Sequence, residues 1–181
     1  MMGRIVAGLV VAAVLGGCQS GPAARPTEGM SADAAFEKIK GLAGRWNGTG
    51  THEEAVEAST VFELTSGGSV VKETMFPGSK HEMINMYSID RGAVAMTHYC
   101  AMGNQPHLRL TSVKGNQYDF EFVSGGNLAT RDEAHMDSMV MTMDGPDHIT
   151  SVWTSWADGK ATGDNAKFDL RRVKGGEHAA R

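Results

Sequence analysis

The chain is 181 residues long, with 17 Lys and Arg against 21 Asp and Glu, a formal charge of −4 and two cysteines. That length holds one domain of ordinary size, and an acidic balance without a basic stripe argues against a nucleic-acid partner. A disulfide framework is excluded if Cys18 is consumed as described next, because Cys100 is then left without a partner and the fold must stand on packing alone.

A single cation, Arg4, precedes an apolar and small-residue run from Ile5 to Leu15, followed by Gly16, Gly17 and Cys18. This is the charged, apolar, small order of an export signal. The run falls well short of the roughly 20 apolar residues that span a bilayer as a helix. Leu15-Gly16-Gly17-Cys18 also resembles the lipobox of bacterial lipoproteins. The resemblance implies that residues 1–17 are a signal peptide, that Cys18 is the acylated first residue of the mature protein, and that the membrane is a partner through this anchor. Several acyl chains would hold where one is marginal. Gln19, rather than Asp, after the cysteine implies the outer membrane, facing the periplasm. An ordinary secretory signal with an unrelated cysteine is the alternative.

Residues 18–30 carry two prolines and almost nothing apolar beyond the cysteine, which predicts a flexible tether. Ser31 can cap a short helix, with Asp33 in its first turn and Phe36, Ile39 and Ala43 on one apolar face. From Gly44 the punctuation changes. Turn signals recur at 66–68, 77–78, 90–92, 114–116, 124–127, 144–147 and 158–159. The segments between them predict strands near 44–51, 56–65, 69–76, 81–89, 93–100, 107–113, 117–123, 133–143, 148–156 and 166–173. Several alternate cleanly, such as Tyr118, Phe120 and Phe122 against Asp119 and Glu121. Regular strands without a second helix predict an all-β fold, an antiparallel up-and-down barrel of about 8–10 strands over residues 31–175 with a short N-terminal helix. Residues 176–181 read as a polar tail. A two-sheet sandwich is the structural rival.

The first strand reads Gly44-Arg45-Trp46-Asn47-Gly48-Thr49-Gly50, and here the chain resembles the calycin group of lipocalins, fatty-acid-binding proteins and nitrobindins. An indole on such a strand can plug one end of a barrel while glycines let the strand bend. By the same resemblance Arg171 or Arg172, on the last strand, packs over Trp46 as a cation–π contact. These are structural roles. Nitrobindins bind heme through a histidine near the chain's end, but the last strand here has none, and His148 and His135 are only substitutes outside the family's pattern.

Thr97-His98-Tyr99-Cys100-Ala101-Met102-Gly103-Asn104-Gln105-Pro106, with Trp153-Thr154-Ser155-Trp156 downstream, resembles a bacterial family of calycin-like exported domains. That resemblance covers most of the mature chain and implies a fold but no activity. Period two puts Met96, His98 and Cys100 on one strand face, with a turn through Asn104 after it. An inward face would give the barrel mouth an imidazole, a thiol and an amide, the few polar groups that a small-molecule site in an apolar cup requires. The plainer alternative is that His98 and Cys100 are satisfied core residues. His98 and Cys100, with His81 or the His135-Met136-Asp137 stretch, would suit zinc or copper if three or four ligands converged. Met136, Met139, Met141 and Met143 could add thioethers for Cu(I), or simply fill an apolar wall.

An enzyme is the weaker reading. His98 and Cys100 on one strand face lie about 7 Å apart, too far for a nucleophile and its base, and no nucleophile elbow or phosphate loop is present. The expected function is a membrane-anchored binder of a small, mostly apolar ligand, through Met96, His98, Cys100, Asn104 and His135. A metal or heme carrier and a scaffold with a filled barrel are the alternatives. The residues identify no cofactor.

Overall fold

The computed structural model describes residues 28–51 and 55–174. The signal run, Cys18, most of the tether and the C-terminal tail lie outside them. After helix α1 (Ala32–Lys40) come ten strands: β1 (Gly44–Thr51), β2 (Ala55–Thr65), β3 (Val70–Met75), β4 (Met83–Asp90), β5 (Ala93–Tyr99), β6 (Gln105–Lys114), β7 (Gln117–Gly126), β8 (His135–Met143), β9 (His148–Ala157) and β10 (Lys160–Arg172). Each pairs antiparallel with its chain neighbour, and β10 returns to pair with β1, so the sheet closes into an up-and-down barrel. Closure leaves no edge strand among the described residues. The sandwich alternative is thereby set aside.

Local chemistry accounts for the elements. The Ser31 hydroxyl accepts a hydrogen bond from the Ala34 N–H, capping α1. Asp33 at its start and Lys38 and Lys40 at its end complement the helix dipole. Ala35, Phe36 and Ile39 form its buried stripe. In β3 the burial alternates strictly, with Val71, Glu73 and Met75 inward, and β4 answers with Asn85 and Tyr87. The tight turn after β4 is carried by Arg91 and Gly92, both at positive φ, the backbone a two-residue hairpin requires.

The folded region begins earlier than the sequence suggests. Glu28 forms a parallel bridge with Ser112: its N–H donates to the Thr111 carbonyl, and its carbonyl accepts from the Val113 N–H. Met30 packs against the core. Glu28, in the segment expected to be a tether, thus lies beside β6. The segment's apolar content was too low to signal this, because the contact is made by backbone.

Candidate functional site

The barrel has a floor, a middle and a mouth, each built around a different polar arrangement. At the floor Trp46 is completely buried. Its Nε1–H donates to the Leu42 carbonyl at 2.8 Å and its ring meets Phe62 edge-on. The Arg172 guanidinium lies 4.3 Å from the indole centroid and donates to the carbonyls of Ala43, Gly41 and Pro146. Of the two arginines left open by the sequence, Arg172 is the one over the ring. Arg171 is exposed, one residue out of phase in the pleat. The glycines of β1 serve this packing: a Cβ on Gly48 would collide with the Asp169 carbonyl, and Gly44, at φ +136°, would bring one to 2.9 Å from the Arg172 guanidinium.

The middle contains a chain of buried polar side chains of which sequence reasoning found only His98 and missed Glu73 and Asn85. Glu73 is 6 % exposed, Asn85 0 % and His98 2 %. Thr60 Oγ1 donates to Glu73 Oε1 at 3.2 Å, while Asn85 Nδ2 and Tyr87 Oη each donate to Oε2 at 2.8 Å. The other end of the Asn85 amide, Oδ1, lies 2.6 Å from His98 Nδ1. The His98 ring then stacks at a tilt on Trp153, centroids 4.9 Å apart. Burial raises the Glu73 carboxyl above its ordinary range, opposed by the hydrogen bonds from Asn85, Tyr87 and Thr60. Burial also depresses His98 to about 4, so the imidazole is neutral at neutral pH. The signal for Glu73 was available, since in Val71-Lys72-Glu73-Thr74-Met75 period two sets an acid between two apolar residues of one face.

Glu73 and Tyr87 border a void of about 10 Å³ whose other walls include Met75, Met139, Met141, Trp153 and Phe168. That is room for about one water molecule. The expectation of an open cup therefore meets an interior occupied by its own side chains, aromatic and aliphatic residues together with the flexible thioethers of Met75, Met139 and Met141.

The segment between β7 and β8 borders the mouth. Arg131 lies between two rings, 4.1 Å from the Phe122 centroid and 4.3 Å from that of Trp156, and pairs with Asp137 at 2.5 Å. It also donates to His135 Nε2 at 2.6 Å, the His135 Nδ1–H being given to the Glu133 carbonyl. Asn104 Nδ2 donates to the Ala134 carbonyl, and Asn127 Nδ2 to that of Gly103, tying this segment to the one after β5.

The sequence-derived candidates are thus dispersed. Met96 and His98 share the interior face as period two requires, both buried. Cys100 lies beyond the end of β5, half-buried, its N–H donating to the Asn104 carbonyl. Burial pushes its thiol up, away from the thiolate that a nucleophile needs. Asn104 and His135 hold the segment between β7 and β8 in place, through the Ala134 carbonyl and through Arg131 and the Glu133 carbonyl. His81 is exposed in the turn before β4, and His148 pairs with Asp144 and Asp169 on the outside. Among the described residues no three His, Cys, Asp or Glu side chains converge to hold a metal ion. Met139 and Met141 are buried and Met136 and Met143 half-buried, as wall residues.

No family model and no curated protein matches the chain. Among solved structures, the fold resembles that in the "Crystal Structure of Rv2717c from M. tuberculosis", with a TM-score of 0.60 at 20% identity over 77% of this chain and 98% of that one. At that identity the likeness is one of fold: a closed ten-stranded antiparallel barrel with one short helix, an architecture compatible with binding a ligand.

Proposed function

We propose that this barrel binds one small, mostly apolar molecule in its interior, and that it does so as an exported protein held at the outer membrane by the lipid on Cys18. The observation that carries the reading is the buried chain Glu73–Asn85–His98 set in an otherwise apolar interior. Burying an acid and an imidazole costs free energy that a purely structural core avoids by using apolar residues of the same volume. A small number of convergent polar groups in an apolar surround is the pattern of small-molecule sites. A filled scaffold would share the packed interior but gains nothing from Glu73. Entry requires Met75, Met139 and Met141, side chains with three rotatable bonds, to give way and line the ligand instead of each other.

The test is native mass spectrometry of the full chain isolated from its own host. The proposal expects a co-purifying adduct of small-molecule mass, lost on organic extraction, in addition to the mass of the acylated chain. A chain that flies at its covalent mass alone, under conditions that preserve known lipid-binding barrels, contradicts it.

A further inference from the structure

The polar chain in the barrel has a direction, and its direction fixes what its open end accepts. It starts at Glu73, whose two oxygens are met by Thr60, Asn85 and Tyr87, all donors there. Because Asn85 gives its Nδ2 to the carboxyl, the atom it turns to His98 is its carbonyl Oδ1, which can only accept. The hydrogen between them therefore belongs to His98 Nδ1. A neutral imidazole has one N–H and one bare lone pair, so Nε2 is the bare nitrogen. Burial keeps the ring neutral, with its pKa lowered to about 4. Nε2 is buried and has no hydrogen-bond partner among the described residues, in a ring that lies against Trp153, a wall of the interior void. An unpaired acceptor at such a place is destabilising until a donor meets it.

We propose that His98 Nε2 is the recognition atom for the ligand's polar end, and that this end is a neutral hydrogen-bond donor, an alcohol or an N–H, and not a carboxylate. The inference rests on the binding reading above and narrows it. A carboxylate entering the barrel would bring a charge toward a bare lone pair and toward Glu73, with no cation among the buried described residues to receive it. A hydroxyl would complete a run of hydrogen bonds from ligand to His98 to Asn85 to Glu73, each member donating to the next. The barrel thus selects alcohols over fatty acids of equal length.

The experiment uses the full chain with 1-N-phenylnaphthylamine as a fluorescent apolar reporter, displaced by 1-octanol or by octanoate at pH 7.5. One added hydrogen bond predicts that octanol displaces at about tenfold lower concentration than octanoate, and that His98→Phe, which removes the acceptor, raises the concentration of octanol needed by about tenfold. Equal displacement by the two, with the reporter bound, overturns the donor rule and leaves the binding reading standing. A reporter that does not bind the wild-type chain overturns both. Nitrogen-15 spectra of the histidine rings supply a check that needs no variant. His98 must show a bare Nε2 and a protonated Nδ1 at neutral pH, and the opposite tautomer overturns the proposal.

Discussion

Trp46→Ala should lower the stability of the folded chain by about 3–5 kcal/mol, the usual cost of removing a large aromatic from a core, enough to consume much of a domain's roughly 5–15 kcal/mol. The indole is fully buried and Phe62 packs on its edge. Its loss also strips Arg172 of the ring beneath its guanidinium, leaving that charge over a cavity. Trp46→Phe keeps the ring but not the N–H bonded to Leu42, and should cost less than half as much. Urea unfolding followed by circular dichroism measures both. If Trp46→Ala unfolds within 1 kcal/mol of wild type, the indole is not the floor of this barrel (about 1 kcal/mol being an ordinary surface effect).

Asn85→Leu should cost about 2–4 kcal/mol although it leaves almost no cavity, because it removes a link rather than a volume. His98 Nδ1–H loses its acceptor and Glu73 loses one of its donors, and each orphaned buried group costs about 1–3 kcal/mol. The comparison belongs at pH 7 to 8, where His98 is neutral in both the folded and the unfolded chain. His98 titrates at about 4 when folded against its ordinary 6.5 when unfolded, so below pH 6.5 the unfolded chain takes up a proton that the folded chain refuses. Stability from this group is therefore complete above pH 6.5 and is lost progressively as pH falls toward 4. Glu73 acts with the opposite sign. Its raised pKa means the folded chain holds a proton that the unfolded chain releases above its ordinary 4.5, so its contribution is complete below that pH and is lost as pH rises through the raised value. A stability loss under about 1 kcal/mol for Asn85→Leu at pH 7.5 would mean that the polar chain does not hold as described.

The fold was largely legible because a barrel writes itself in local signals. Period-two runs such as Tyr118, Phe120 and Phe122, and turn residues such as Arg91-Gly92, gave nine of the ten strands to within about three residues. Strand β10 instead starts at Lys160, six residues before the predicted 166, because its first half is polar, holds Gly163 and is irregularly paired with β9. Closure followed from strand number and from Gly44-x-Trp46-x-Gly48, whose two glycines leave room for the Arg172 guanidinium and the Asp169 carbonyl across the β1–β10 seam. The site was less legible, and for a physical reason. His98 and Met96 were found by their shared face, but the partners of His98 are set by register, Asn85 opposite His98 and Glu73 opposite Asn85. No single segment contains that alignment. Cys100 illustrates the limit of alternation: β5 ends at Tyr99, so the period that places His98 inward stops governing one residue later. His135 was singled out as a polar candidate, but Arg131, which defines what His135 does, lies in a turn-rich stretch where charge normally means solvent.

The central claim, that a ligand enters the interior by parting the methionines beside Glu73, is tested most directly by carbon-13 spectra of the methionine methyl groups during titration with 1-octanol. Met75, Met139 and Met141 line the void, whereas Met102 is exposed just past the end of β5 and serves as an internal control. Saturable shifts at the three interior methyls, with Met102 unmoved, are the predicted result. Shifts confined to Met102, or no shift at any methyl up to the solubility of octanol, would contradict the account and leave the barrel a filled one.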